Sequence, residues 1–358
     1  MDIELFNYNL PPERIAQSPV RPRERAKMLY YDQTKDQLRD HHVADLPSLV
    51  RAGDLLVFNK TKVRHARLHG TWIMKHEAQE TEILVLKPLE EEGTFECLLK
   101  GKNIQIGEQI ALPHNIALTV VDRITDPAMG RYVVKVEGMS STEFLDFCEE
   151  RGQLPLPPYI HNPQIEGFED ELYQPITAKE LGSVAAPTAS LHFSEKLLEE
   201  ITIKGIKTAE VLLHVGLGTF IPVRVADTKD HVMHSEEIAV SAEVLRKIKE
   251  TKTSGGRVIA VGTTVARALE SVAERLTAVE AFSLEGAEAF KGEANLFIQP
   301  GYEFSVIDGL LTNFHLPKST LLMMVSALTG REKLFELYDH ALNTNYRFLS
   351  FGDCMLLI

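Results

Sequence analysis

Hydrophobic periodicity changes near residue 66 and changes back after residue 137, and no other feature of the sequence constrains the fold as much. Segments near 66–74, 81–88, 94–100, 104–112, 116–123 and 130–137 are short and rich in Val, Ile, Leu and Thr. Gly, Pro, Glu or Asp turns separate them. Short strands at regular spacing close into a small β-barrel or stack as a sandwich. Ser140 and Glu143 then form a capping box ahead of a helix over 144–151, which Gly152 stops.

Strands alternate with helices on both sides of this stretch. Residues 54–59 read as a buried strand, 208–215, 257–261 and 348–358 as strands, and 310–314 is apolar. Ser194 and Ser241 cap helices, a helix follows over 265–275, Pro317-Lys318-Ser319 starts another, and 333–342 is amphipathic. Such alternation packs helices on a parallel or mixed sheet. The expectation is an α/β main domain with helices packed on a mixed sheet (1–65 and 153–358), carrying an inserted small β-barrel domain (66–152).

Composition removes several function classes. The chain has 358 residues, 44% apolar and 25% charged, as globular proteins do. No apolar run approaches the roughly 20 residues of a membrane helix, so no membrane partner is expected. The start, Met1-Asp2-Ile3-Glu4, lacks a signal-peptide pattern. Cys97, Cys148 and Cys354 form no CxxC pair, which argues against a disulfide framework or zinc ribbon and fits a cytoplasmic setting. The net charge of −13 is uneven: residues 1–75 carry 13 Lys+Arg against 9 Asp+Glu, the remainder 25 against 42. A local basic surface on an acidic body still binds phosphates, because screening acts over about 8–10 Å.

Several motifs carry candidate chemistry. The run GSVAAPTASLHF (182–193) is nearly uncharged, small and holds one imidazole, as the wall of a ligand pocket would. Proline-stiffened LPLPPYI (154–160) reads as a rigid linker or pocket edge. Gly216-x-Gly218 fails the dinucleotide fingerprint, since Ile221 stands where the third glycine belongs. Gly262-Thr263-Thr264 joins a strand to a helix and offers backbone N–H groups and two hydroxyls. His231-x-x-His234-x-Glu236 has metal-ligand spacing, but no companion cluster supports it and no metal is expected. His192, His214 and His315 each sit in an uncharged stretch, where an imidazole serves either as scaffold or as a base. Arg21, Arg23, Arg25 and Lys27 form a proline-stiffened basic loop, and Asn59, Lys60, Lys62, Arg64 and Arg67 follow a strand end.

With these residues in view the sequence resembles a known family. LPLPPYI (154–160), GSVAAPTASLHF (182–193), LHVGLGTFIPV (213–223), HVMHSE (231–236), AVGTT (260–264), TNFHLPKSTLLMMVSAL (312–328), YRFLSFGD (346–353) and DLLVFNKTKVRHARLHG (54–70) resemble the S-adenosylmethionine:tRNA ribosyltransferase-isomerases of queuosine biosynthesis. The resemblance covers essentially the whole chain. Ser190, Pro175, Thr177, Val265 and Gln299 depart from the family's usual pattern.

The resemblance implies an α/β domain with an inserted barrel. It also implies transfer and isomerisation of the ribosyl group of S-adenosylmethionine onto 7-aminomethyl-7-deazaguanine at the tRNA wobble position. The products would be epoxyqueuosine-tRNA, adenine and methionine. S-adenosylmethionine is then a substrate, tRNA the partner, and no cofactor is required. The sulfonium acidifies the C5′ hydrogens, so a base is needed, and His192, His214 and His315 are the candidates. Ser183, Thr188, Thr263 and Thr264 are candidate donors to departing adenine; the positive sulfur favours a carboxylate or aligned carbonyls, and Glu236 is the nearest acid in these motifs. Gly216, Gly218, Thr219, Gly262, Thr263, Thr264 and Asn313 are expected to bind the donor. Arg21, Arg23, Arg25, Lys27, Asn59, Lys60, Lys62, Arg64 and Arg67 are expected to bind tRNA. A relative acting on another nucleobase and a non-catalytic tRNA-binding protein are the alternatives.

Overall fold

The structure is a computed structural model that describes residues 1–73, 78–101, 103–124, 130–165, 167–216, 218, 223, 225–233, 235–273 and 289–358. The chain divides into two compact units, residues 1–62 with 157–358, and residues 63–156.

The larger unit is built on a nine-stranded mixed sheet. Its order is Phe290–Ala294, Glu236–Val240, Lys207–Leu213, Leu55–Asn59, Val258–Val261, Gly309–Asn313, Cys354–Leu357, Lys27–Asp32, Gln37–His42. Lys207–Leu213, Leu55–Asn59, Val258–Val261 and Gly309–Asn313 run parallel to one another. Every residue of Leu55–Asn59 is buried, as a strand covered on both faces requires. Leu55 and Val57 join one core with Val265, Leu269, Met323 and Leu334. Leu56 and Phe58 point the other way, onto Phe193, Leu197 and Ile201. At the amino ends of these strands the buried Asp54 carboxylate takes hydrogen bonds from the Arg257 backbone and guanidinium, tying two strands together.

The helix signals fall where the caps place them. Ser194, Ser241 and Ser319 each accept a backbone N–H at the start of Glu195–Ile203, Ala242–Thr253 and Thr320–Thr329. The C-terminal segment differs from expectation, because only Cys354–Leu357 is strand. Leu349 adopts φ 67°, and the Asp353 carboxylate accepts the N–H groups of Arg347 and Lys27. These contacts fold 347–353 into a loop beside the carboxyl end of Gly309–Asn313.

The smaller unit is a closed antiparallel barrel. Around it run Arg131–Val136, Thr94–Leu99, Ala78–Pro88, Arg67–Ile73, Gln109–Leu112 and Ile116–Ile124. The strand expected over 104–112 is confined to Gln109–Leu112: Gly107 turns at φ +90°, and Glu108 accepts the Gln105 N–H. Ser140 and Glu143 cap Ser141–Arg151 reciprocally, and the chain leaves through Gly152, where a Cβ would lie 2.2 Å from His65 O. Among the described residues no helix is long and apolar enough to cross a membrane.

Candidate active site

Ligands in α/β proteins collect outside the carboxyl ends of parallel strands. Here those ends deliver His214, Asn59, Gly262-Thr263-Thr264 and Asn313-Phe314-His315 to one side of the sheet. A cleft opens there. Its wall includes Tyr159, Pro187, Thr188, Gly262, Thr263, Thr264, Thr312, Asn313, His315 and Ser350. Gly262 stands at φ +100° and begins the helix Thr263–Ser271, so the first turn presents its N–H groups and two hydroxyls at the wall.

The three histidines occupy three different settings. His315 lines the cleft, with Nε2 2.9 Å from Thr312 Oγ1 and its backbone N–H donated to the Tyr338 hydroxyl. Burial pushes its pKa down to about 3. His192 lies behind the wall, where its Nε2 accepts the Asn313 side-chain amide at 3.3 Å. Burial, with the charges of Arg347 and Arg23, pushes the His192 pKa down to about 4. Both rings are therefore neutral near pH 7. His214 belongs to a hydroxyl cluster: Thr61 Oγ1 lies 2.9 Å from its Nδ1 and 2.7 Å from Ser183 Oγ. Ser183 Oγ in turn accepts the Val215 N–H, so this hydroxyl braces the turn after Leu213. Among the expected catalytic residues, the cleft wall brings together His315 and Thr188 and leaves Ser183, His192 and His214 behind it.

Glu236 is occupied by the scaffold. Its Oε1 accepts the Gly216 N–H at 3.0 Å and its Oε2 pairs with Arg267 at 2.6 Å, both side chains being buried. It anchors the 214–216 turn. Gly216 and Gly218 are half-buried and lie off the cleft wall, whereas Gly262, Thr263, Thr264 and Asn313 line it. Thr219 and His234 lie outside the described residues. His231 meets the Phe297 ring edge-on, and no group of three His, Cys, Asp or Glu is placed to hold a metal among the described residues.

The basic residues divide by what already holds them. The expectation for Asn59 changes: it is fully buried, its amide donates to Leu213 O, and its Oδ1 accepts Leu213 N and Thr61 N. A phosphate cannot reach it, and it clamps two strands instead. Arg23 turns inward onto the carbonyls of Glu171 and Gln174, and Lys27 donates to Thr344 O. Arg21 pairs with Glu171 and Lys60 with Glu180. Arg25 and Lys62 are exposed. In the barrel unit, Arg64 is half-buried and Arg67 donates to the Gln153 side chain.

Several wall residues were not singled out from the sequence. Tyr159 and Ser350 share a hydrogen bond of 2.6 Å across the cleft edge, and Thr312 and Leu349 complete the surface around His315. Each lies inside a quoted block, which was the available signal, but only folding joins 159, 312 and 350.

The queuosine biosynthesis protein family matches residues 3–357. An S-adenosylmethionine:tRNA ribosyltransferase-isomerase of Zymomonas mobilis is 45% identical over 360 residues, covering 100% of this chain and 99% of its own. A protein of the same name from Francisella tularensis subsp. novicida is 40% identical over 358 residues, covering 100% of both. A crystal structure of S-adenosylmethionine tRNA ribosyltransferase from Thermotoga maritima superposes with a TM-score of 0.55 at 31% identity, covering 99% of this chain and 100% of that one. With its whole length matched, the chain belongs to the queuosine biosynthesis protein family of S-adenosylmethionine:tRNA ribosyltransferase-isomerases.

Proposed function

We propose that this enzyme transfers and isomerises the ribosyl group of S-adenosylmethionine onto 7-aminomethyl-7-deazaguanine at the tRNA wobble position. The products are epoxyqueuosine-tRNA, adenine and methionine, and the reaction takes place in the cytoplasm. The observation that carries the reading is the cleft at the strand ends, whose lining includes His315, Thr188, Thr263 and Thr264. The sulfonium makes the C5′ hydrogens acidic, so the reaction needs a base, and His315 is an imidazole that lines this cleft. The hydroxyls and the N–H groups of the helix start offer hydrogen bonds to a base that leaves with growing negative charge. Tyr8 and Tyr338 hold the backbone of His315, and Thr312 holds its ring, so the imidazole is fixed before substrate arrives. Arg25 and Lys62 supply exposed cations for the tRNA backbone.

The test incubates the purified protein with S-adenosylmethionine and tRNA carrying the deazaguanine precursor, and measures adenine and methionine by chromatography. Release that depends on precursor-bearing tRNA is the expected result. Turnover confined to a different RNA would replace the acceptor. tRNA binding without any adenine release would leave a binding protein.

A further inference from the structure

Residues 14–18 run as a strap between two segments that meet at the cleft edge. On one side the strap pairs in parallel with Phe348. The Phe348 N–H donates to Arg14 O at 2.7 Å, and the Ala16 N–H donates to Phe348 O at 3.2 Å. Arg347 adds a bond to Ser18 O. On the other side the strap holds residues 159–162 through Gln17. Gln17 Nε2 donates to Tyr159 O at 2.9 Å, and Gln17 Oε1 accepts the His161 N–H at 2.8 Å. Exchanging oxygen and nitrogen would set acceptor against acceptor at Tyr159 and donor against donor at His161, so the amide has one orientation.

The segment that Gln17 holds has little else to fix its backbone. Residues 157–162 belong to no strand, and the Ile160 N–H closes only a local turn onto Pro157 O. Pro157 and Pro158 have no N–H to give. The two segments joined by the strap carry Tyr159 and Ser350, whose hydroxyls lie 2.6 Å apart in the cleft wall. Tyr159 is half-buried, so its side chain forms accessible surface of that wall. A hydrogen bond of this length survives only small displacements of either partner.

We propose that Gln17 is a positioning residue for the reaction: it holds Tyr159 against Ser350, and the joined pair sets the edge of the cleft that receives S-adenosylmethionine. Gln17 does not line the cleft, so it acts through Tyr159. The inference rests on the proposed function, which supplies the donor. A cleft edge meets the donor before and during bond breaking, so its displacement raises KM rather than lowering kcat.

Steady-state adenine release by the full chain tests it, with S-adenosylmethionine varied at saturating precursor-bearing tRNA. Gln17→Glu keeps an acceptor for His161 but sets an oxygen against the Tyr159 carbonyl. KM for S-adenosylmethionine should rise about tenfold, with kcat within about twofold of wild type. Gln17→Met, which removes the bonds without adding a charge, should raise KM in the same direction. Tyr159→Ala should raise KM as well, and adding Gln17→Glu to it should change nothing further, because the side chain being positioned is gone. Thermal melts accompany each variant, since a role in folding alone would lower the melting temperature and leave KM at the wild-type value. A wild-type KM in folded Gln17→Glu or Gln17→Met overturns the inference, as does a Gln17→Glu effect that persists in full beside Tyr159→Ala. If the wild-type protein releases adenine and these KM values do not move, only this inference falls. If it neither binds S-adenosylmethionine in titration calorimetry nor releases adenine, the proposed function falls and this inference with it.

Discussion

Gly182 lies against the His214 ring so closely that a Cβ at 182 would stand 2.3 Å from Cε1 and 2.5 Å from Nδ1. The ring cannot retreat without leaving Thr61 Oγ1, to which its Nδ1 is hydrogen-bonded at 2.9 Å. Gly182→Ala is expected to displace the imidazole and with it the Thr61–Ser183 bond that braces the turn at Val215. Adenine release should fall by tenfold or more while circular dichroism stays native. Full activity in the folded variant would show that His214 needs no fixed position.

Acid stability should carry the signature of two buried neutral imidazoles. An unfolded chain protonates His192 and His315 near pH 6.5, whereas the folded chain refuses those protons until about pH 4 and about pH 3. The unfolded state then binds more protons, so stability falls as pH drops from 6.5 toward 4. Each ring contributes up to roughly 1.4 kcal/mol per pH unit. Urea midpoints between pH 4 and 7 should therefore decline less steeply in His315→Gln, by about one proton's worth of slope. Parallel curves would mean that His315 takes up its proton at the same pH in the folded and unfolded chains.

Much of the architecture was legible because it rests on period and caps. Short Val-, Ile-, Leu- and Thr-rich segments at regular spacing over 66–137 mark the barrel strands, and Ser140, Ser194 and Ser241 mark helix starts whose caps form as read. Long-range order was not legible. Nothing local places Cys354–Leu357 between Gly309–Asn313 and Lys27–Asp32, because strand neighbours are chosen by packing across the whole sheet. The same limit applies at the site. The run 182–193 carries both Ser183 and Thr188, yet the first braces a buried turn and the second lines the cleft. A polar residue at a strand end reads the same whether it faces solvent or clamps a neighbouring strand, and that is how Asn59 was grouped with the cations.

Asn59 and Lys62 should separate cleanly on substitution. Asn59→Ala removes three hydrogen bonds from the buried junction of Leu213 and Thr61 and is expected to cost about 2–4 kcal/mol in unfolding free energy. It should leave the salt dependence of tRNA binding unchanged. Lys62→Ala and Arg25→Ala should keep stability and each reduce the slope of log affinity against log salt by about one. Filter binding across a salt series checks both, and an unchanged slope in the two cation variants would place the tRNA elsewhere.

Glu236 and Arg267 form a buried pair that fixes Gly216 through its N–H. Glu236→Gln keeps the shape but strands a buried guanidinium, and about 3–5 kcal/mol of stability should be lost. Adding Arg267→Met removes the uncompensated charge, so the double variant should be more stable than Glu236→Gln alone. Chemical denaturation of the wild type, the two single variants and the double variant reads this directly. A double variant less stable than either single one would mean that Arg267 has a second essential partner.

Ser190 offers a substitution in the opposite direction. It is fully buried, and its hydroxyl has no hydrogen-bond partner among the described residues. The backbone of the turn is held without it, through Ser190 N to Pro187 O and Phe193 N to Ser190 O. Ser190→Ala keeps the Cβ and deletes the orphaned oxygen, so the folded state should gain about 1 kcal/mol. Ser190 does not line the cleft, and adenine release should stay at the wild-type rate. A loss of stability would reveal that the hydroxyl is satisfied in solution, and a loss of turnover at unchanged stability would bring this residue into contact with the substrate.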